Sequence, residues 1–206
     1  YLENAKKIYE VFQTKYQKRF EWIRSDFFTE NLKKELIDDG AAIIKILKIG
    51  QNWKSKDDKQ LNALHHLLTE KHGKEKVLVF TQFADTAKYL TQQLKERGTE
   101  KLECVTGDNE NPTAFAHRFS PISNSKPEII KSNHDLRILI TTDVLSEGQN
   151  LQDAHIILNY DLPWAIIRLI QRAGRVDRIG QKAEKIICYS FLPEDGIEAI
   201  INLRRR

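Results

Sequence analysis

The apolar positions of this chain follow two patterns, and the change falls at Gly73. Before it the spacing is helical. Ala5, Ile8, Phe12, Tyr16, Phe20, Ile23 and Phe27 recur at every third or fourth residue, which places them on one stripe of a helix over residues 2–27. Thr29 stands where an N-cap would open a second helix carrying Leu32, Leu36, Ile43 and Leu47. Ser55-Lys56-Asp57-Asp58 resembles a capping box ahead of a third, with Leu61, Leu64 and Leu68. Residues 1–72 are therefore expected to be all-helical, the aromatic stripe serving as core or as a contact to another domain.

After Gly73 the pattern alternates. Val77-Leu78-Val79-Phe80 is a continuous apolar run, as expected of a strand buried on both faces. A helix with Phe83, Ala87, Leu90 and Leu94 follows and closes at Gly98. Leu102–Thr106, Leu136–Thr141, Ile156–Asn159 and Ile186–Phe191 read as further strands. Asn111-Pro112 opens one helix, Pro163 opens another, and a last one runs to Arg206. Ser120–Asp135 is polar, holds two prolines and lacks an apolar period, so a mobile loop is expected there. The alternation predicts an α/β fold: a parallel sheet with helices on both faces, preceded by an all-helical segment.

In such sheets the working residues lie at the carboxyl ends of the strands. That rule selects Thr81-Gln82-Phe83, Thr106-Gly107, Thr141-Thr142-Asp143, Asp161 and the loop after Phe191. Ser146-Glu147-Gly148-Gln149-Asn150 follows the third group, and its glycine lets backbone amides approach a phosphate or a sugar.

Composition narrows the class. The 206 residues, 40% of them hydrophobic, suffice for one large domain or a domain with an appendage. The chain starts at Tyr1 and has no methionine, so it reads as a piece of a longer protein. No apolar run approaches the roughly 18 residues of a membrane span, and no signal-peptide pattern opens the chain. Cys104 and Cys188 fall on expected strands, where buried, reduced thiols are the default. The six histidines lack zinc-ligand spacing, and no metal site is expected. Net charge is +4, and residues 163–182 alone carry Arg168, Arg172, Arg175, Arg178 and Lys182 against Asp177. Charge focused in this way points to a local anion site.

That window contains the most informative stretch, Gln171-Arg-Ala-Gly-Arg-Val-Asp-Arg-Ile-Gly-Gln181. If it continues as a helix, Gln171, Arg175 and Arg178 share one face, and Arg172 points off it. An arginine fork stays charged and pairs bidentately with phosphate oxygens, so two on one face suit a polyphosphate or a highly anionic transition state. A solvated basic helix end is the plainer alternative.

Taken in order, Lys76–Thr86 (KVLVFTQFADT), Ile140–Asp153 (ITTDVLSEGQNLQD) and Gln171–Gln181 (QRAGRVDRIGQ) resemble motifs IV, V and VI of the second RecA-like lobe of superfamily-two helicases. The ending Arg-Val-Asp-Arg-Ile-Gly-Gln is similar to the Swi/Snf-type double-stranded DNA translocases. Ser-Glu-Gly-Gln-Asn-Leu-Gln and Asn-Tyr-Asp-Leu-Pro-Trp resemble their bacterial RNA-polymerase-associated branch. The resemblance covers roughly residues 73–206, and residues 1–72 resemble, more loosely, the connector between the two motor lobes. It implies nucleic-acid contacts near Gln82, Phe83, Thr106, Gly107 and Thr142. It implies nucleotide contacts by Gly148, Asn150, Arg175 and Arg178. Gln171 and Arg175 would approach the γ-phosphate, and Arg178 would be the arginine finger. Related RNA helicases often have arginine where this chain has Glu147, so no phosphate contact is assigned there.

Phosphoryl transfer needs a phosphate cradle, a metal and a stabiliser of the transition state. The chain holds no G-x-x-x-x-G-K-[ST] and no Asp-Glu-x-His box, so the resemblance supplies only the last. ATP, with its magnesium, would be held mainly by an N-terminal RecA-like lobe, and the fragment alone would be inactive. The implied partners are double-stranded DNA, that lobe and possible docking on RNA polymerase or another DNA-processing complex, in a bacterial cytoplasm near the nucleoid and away from any membrane. A non-catalytic RecA-like scaffold that docks a polymerase is the competing class, against which the intact Gln171, Arg175 and Arg178 argue. A stand-alone hydrolase would lack a nucleophile, a base and a metal site.

Overall fold

The computed structural model describes residues 2–17, 23–50, 53–145, 149–163 and 165–192. The chain divides into two compact units, Tyr1–Trp53 and Lys54–Arg206.

The first unit contains α1 (Leu2–Thr14) and α2 (Glu30–Ile49). α1 stops at Thr14, short of the helix expected over residues 2–27, so Ile23 and Phe27 lie beyond it, and among the described residues the apolar stripes do not close into a core. No residue of α2 is buried, and Ile8, Phe12, Ile23 and Phe27 are all exposed, Phe27 by 76%. Two short amphipathic helices enclose too little volume to bury both stripes. Phe20 lies outside the described residues.

The second unit begins with α3 (Lys59–His66), extended by a wider turn over Leu67–Lys71. Asp58 caps it, its carboxylate accepting the Leu61 N–H at 2.9 Å. Leu61, Leu64 and Leu68, grouped by sequence with the helical segment, are fully buried in the core of this unit. Each contributes on the order of 1.5–3 kcal/mol by leaving water. At the end of the wide turn Arg137 Nη1 donates to the Leu68 and His72 carbonyls, both at 3.0 Å, satisfying helix-end acceptors. A Cβ on Gly73 would lie 2.6 Å from the Thr69 carbonyl oxygen, so only glycine fits this exit.

Five parallel strands follow: β1 (Val77–Phe80), β2 (Leu102–Val105), β3 (Ile138–Thr141), β4 (Ile156–Asn159) and β5 (Ile187–Ser190). Their order in the sheet is β2-β3-β1-β4-β5, with β1 paired in register to both β3 and β4. Side-chain alternation divides the core. Val77, Val79, Ile138, Ile140, Ile156 and Leu158 pack under α3 and α4 (Ala84–Glu96). Leu78, Phe80, Leu139 and Ile157 pack on the other face with α5 (Pro112–Phe119), Leu145, Leu151 and Val176. The sheet is covered on both faces, as the continuous apolar strands require. Asn111 caps α5, its side chain accepting the Ala114 N–H, with Pro112 at the first helical position.

Two expectations are corrected. Cys188 is exposed, because it lies on the edge strand β5, and Cys104 is half-buried; both are free thiols. The 120–135 segment contains a short helix, α6 (Glu128–Lys131), and its first turn is bound by several side chains rather than left as a bare loop. Their donors and acceptors replace the apolar anchoring that the sequence lacks.

Candidate nucleotide and nucleic-acid interface

Chain connections from β1 leave toward β2, and those from β4 leave toward β5, so a crevice opens at the carboxyl ends of these central strands. Polar side chains line it. Asp161, just after β4, accepts the Gln82 N–H on both carboxylate oxygens, at 2.9 and 3.0 Å, and the Thr81 hydroxyl. Gln82 Nε2 donates to the Leu162 carbonyl at 3.0 Å, so this side chain ties β1 to β4. Phe83 is 62% exposed. Thr106 is buried, its N–H bound to Asn109 Oδ1 at 2.7 Å, while Gly107 beside it is exposed with nothing within 4 Å of a Cβ position. Thr142 is half-buried and its N–H donates to the Val105 carbonyl. Of the five expected nucleic-acid positions, Phe83 and Gly107 present open surface, whereas Gln82 and Thr106 are engaged inside the lobe.

The arginine segment departs from the helical-face expectation. Helix α7 (Ile166–Ala173) ends at Gly174, whose N–H returns to the Ile170 carbonyl. Arg175 and Arg178 therefore stand in turns beyond the helix, and the i, i+4, i+7 argument does not position them. Gln171 is exposed on the last turn of α7, Arg175 is half-buried and Arg178 is exposed, its Nε bonded to the Gly174 carbonyl at 3.1 Å. Glycine at 174 ends the helix, and Gly180, at φ +96°, reverses the chain in the left-handed region that glycine favours. Buried Val176 anchors the turn between them.

Arg172, which the helical wheel placed off the working face, is the fully buried arginine of this site. Its Nε donates to Asp143 Oδ1 at 2.8 Å and its Nη1 to Asn159 Oδ1 at 3.0 Å, with the guanidinium 5.0 Å from the Phe80 ring centre. Asp143 also accepts from Arg168 Nη1 at 3.0 Å. The charge excess of residues 163–182 is thus partly internal: two of its arginines neutralise the acid that follows β3. Sequence reasoning missed this role because a wheel gives direction on a helix and not what the helix faces. The available signal was Asp143, an acid at a buried strand end that needs a cation.

Gln181 was also missed. Its Nε2 lies within 2.9–3.1 Å of the Val176, Gln152 and Ala154 carbonyls, and its Oε1 accepts the Ala183 N–H. Asn150, expected at the nucleotide, donates its amide to the Ser123 carbonyl at 3.0 Å. Gly148 lies outside the described residues. Among the described residues no cluster of three or more His, Cys, Asp or Glu is placed to hold a metal ion, and no helix is long and apolar enough to cross a membrane.

A doubly covered parallel sheet with this crevice and a following arginine turn is a RecA-like lobe. Residues 59–180 match the helicase conserved C-terminal domain, and the chain belongs to that family, as a second lobe of superfamily-two helicase type. It is 33% identical to the RNA polymerase-associated protein RapA of Vibrio campbellii over 146 residues, which are 70% of this chain and 14% of that protein. It is 31% identical to the uncharacterized ATP-dependent helicase YqhH of Bacillus subtilis over 126 residues, 60% of this chain and 20% of that protein. The C-terminal part of the Fun30 ATPase domain superposes with a TM-score of 0.58 at 20% identity, covering 82% of this chain and 52% of that one. The chain thus spans a small fraction of the length of the curated relatives it matches.

Proposed function

We propose that this chain is the second half of an ATP-driven motor of the Swi/Snf type that tracks along double-stranded DNA. In this reading the lobe presents Gln171, Arg175 and Arg178 to ATP held by an N-terminal RecA-like lobe, which also supplies the magnesium site. The observation that carries it is the turn after α7, where Arg175 and Arg178 follow directly on the helix end that Arg172 bonds to Asp143 and Asn159 at the carboxyl ends of β3 and β4. Exposed Ile166, Ile167 and Ile170 flank that turn on α7, an apolar surface of the kind a second lobe would cover. Arg178 is the exposed fork that would meet charge developing on the transferred phosphoryl group, while Phe83 and the backbone at Gly107 offer the open contacts for a nucleic-acid strand. Closing of the lobes around ATP would complete the site, and opening after hydrolysis would shift one lobe along the duplex. RapA, named as RNA polymerase-associated, supports a bacterial cytoplasmic setting and docking on a polymerase.

The test is ATP turnover of the full-length protein on duplex DNA. Arg178→Ala is expected to lower kcat by about 10³–10⁵, the range of arginine fingers, while DNA affinity stays within twofold. Lys182→Ala, an exposed cation in the same window, is expected to retain most of its turnover. The 206-residue chain alone is expected to release no phosphate from ATP. Equal losses in the two variants, or turnover by the chain alone, would refute the assignment. Stronger stimulation by single-stranded RNA than by duplex DNA would replace the duplex-DNA reading with that of an RNA helicase.

A further inference from the structure

The polar turn that opens the 120–135 segment has no part in that reading, yet it is bound to residues 150–153, the stretch against which the arginine turn is held. Asp153 accepts the Ile122 and Ser123 N–H groups, both at 2.8 Å, together with the Ser123 hydroxyl. Its own N–H donates to Ser120 Oγ at 3.3 Å. Asn124 Nδ2 donates to the Asn150 carbonyl at 2.8 Å while Asn150 Nδ2 donates back to the Ser123 carbonyl. Residues 120–124 and 150–153 are thereby clamped as one unit.

The other side of the same segment holds the arginine turn. The Leu151 N–H donates to the Arg175 carbonyl at 3.3 Å, and Gln152 Nε2 donates to the Ile179 carbonyl at 2.8 Å. Gln181 reaches back to the Gln152 and Ala154 carbonyls. Leu151, Ala154 and Val176 share one apolar cluster with Phe119, the last residue of α5, so the layers are also packed together. Residues 150–154 therefore lie between the turn on one side and the backbone of residues 175–179 on the other.

We infer that Asp153 is a positioning residue: by clamping residues 150–154 to the 120–124 turn, it fixes the backbone from which Arg175 and Arg178 are presented. The inference rests on the role proposed above for those arginines. A carboxylate is needed because three donors converge on its two oxygens. In Asp153→Asn one acceptor becomes an NH2 group that opposes a backbone N–H. The clamp then slackens, and a displacement of about 1 Å at reacting groups lowers a rate by on the order of 10²-fold.

The experiment is a double-mutant cycle in the full-length protein. Asp153→Asn is expected to lower kcat for ATP by about 10–100-fold, with KM for ATP within threefold and DNA affinity unchanged. Ser123→Ala, which removes one donor and leaves the carboxylate, is expected to show the same pattern with a loss of a few-fold. In the Arg178→Ala background, Asp153→Asn is expected to cost only a few-fold further, because the finger is gone and only Arg175 remains to be displaced. Full retention of kcat in Asp153→Asn, or losses that multiply in the double variant, would overturn the inference while leaving the arginine role intact. If Arg178→Ala itself retains full turnover, the finger assignment fails and this inference fails with it.

Discussion

Arg172→Ala is the sharpest probe of the architecture, because the residue is a charge held entirely inside the lobe. Deletion of the side chain removes the 2.8 Å bond to Asp143 and the 3.0 Å bond to Asn159 Oδ1. Truncating one partner of a buried ion pair costs about 3–5 kcal/mol, mostly through the partner left uncompensated. Asp143 retains Arg168 and its side chain is 27% exposed, so water and the remaining arginine offset part of that loss. The lower end, about 3 kcal/mol, is therefore expected from the pair. The lost contact with the Phe80 ring adds about 1 kcal/mol. A total of about 4 kcal/mol is a large part of a stability on the order of 5–15 kcal/mol. With a urea slope of about 2 kcal/mol per molar, the unfolding midpoint should drop by about 2 M. Arg178→Ala, at an exposed side chain, should change stability by less than about 0.5 kcal/mol. Circular dichroism of both variants of the 206-residue chain across a urea series gives the comparison. A drop below about 0.5 M for Arg172→Ala, or equal shifts in the two variants, would refute the keystone role. A loss of turnover in Arg172→Ala would accordingly report unfolding and not a catalytic role.

Two further outcomes are expected. Gly73→Ala should lower the thermal midpoint, with a loss of about 1–3 kcal/mol from the clash with the Thr69 carbonyl, whereas Gly107→Ala, in open space, should leave the midpoint unchanged and weaken duplex DNA binding in a fluorescence-anisotropy titration. A melt of Gly73→Ala matching the wild type, or of Gly107→Ala well below it, would contradict the local geometry. Burial pushes the Tyr89 phenol up to about 12, helped by its hydrogen bond to Asp58, from an ordinary value near 10. Since the unfolded chain loses this proton first, Tyr89 contributes stability that is complete below about pH 10 and is lost as pH rises toward 12. Urea midpoints between pH 9 and 12 should fall more steeply in the wild type than in Tyr89→Phe, and parallel curves would show that the phenol is not perturbed.

The strands and the helices that cover them were legible in the chain itself. A continuous apolar run such as Val77–Phe80 has no stable place except a strand buried on both faces, and Asn111-Pro112 dictates a helix start through local hydrogen bonding and a fixed φ. The gathering of polar residues at the carboxyl ends of the strands follows from chain direction in a parallel sheet, and Thr81, Gln82 and Asp161 do meet there. What each polar group there is bonded to was not legible. Gln82 and Asp161 are separated by 79 residues in sequence, as are many partners of this kind, and their meeting depends on β1 pairing with β4. Arg172 illustrates the limit most clearly. Its spacing on α7 is a local property, but its burial against Asp143, Asn159 and Phe80 depends on how α7 lies across the ends of three strands. The helical face assumed for Arg175 and Arg178 failed for a related reason: Gly174 ends α7, and the turn that replaces it is held by Leu151, Gln152 and Gln181 across the fold. Periodicity and capping are determined over a few residues, and sequence carries them. Burial of charge and the sharing of hydrogen bonds between distant segments are determined only when the layers pack.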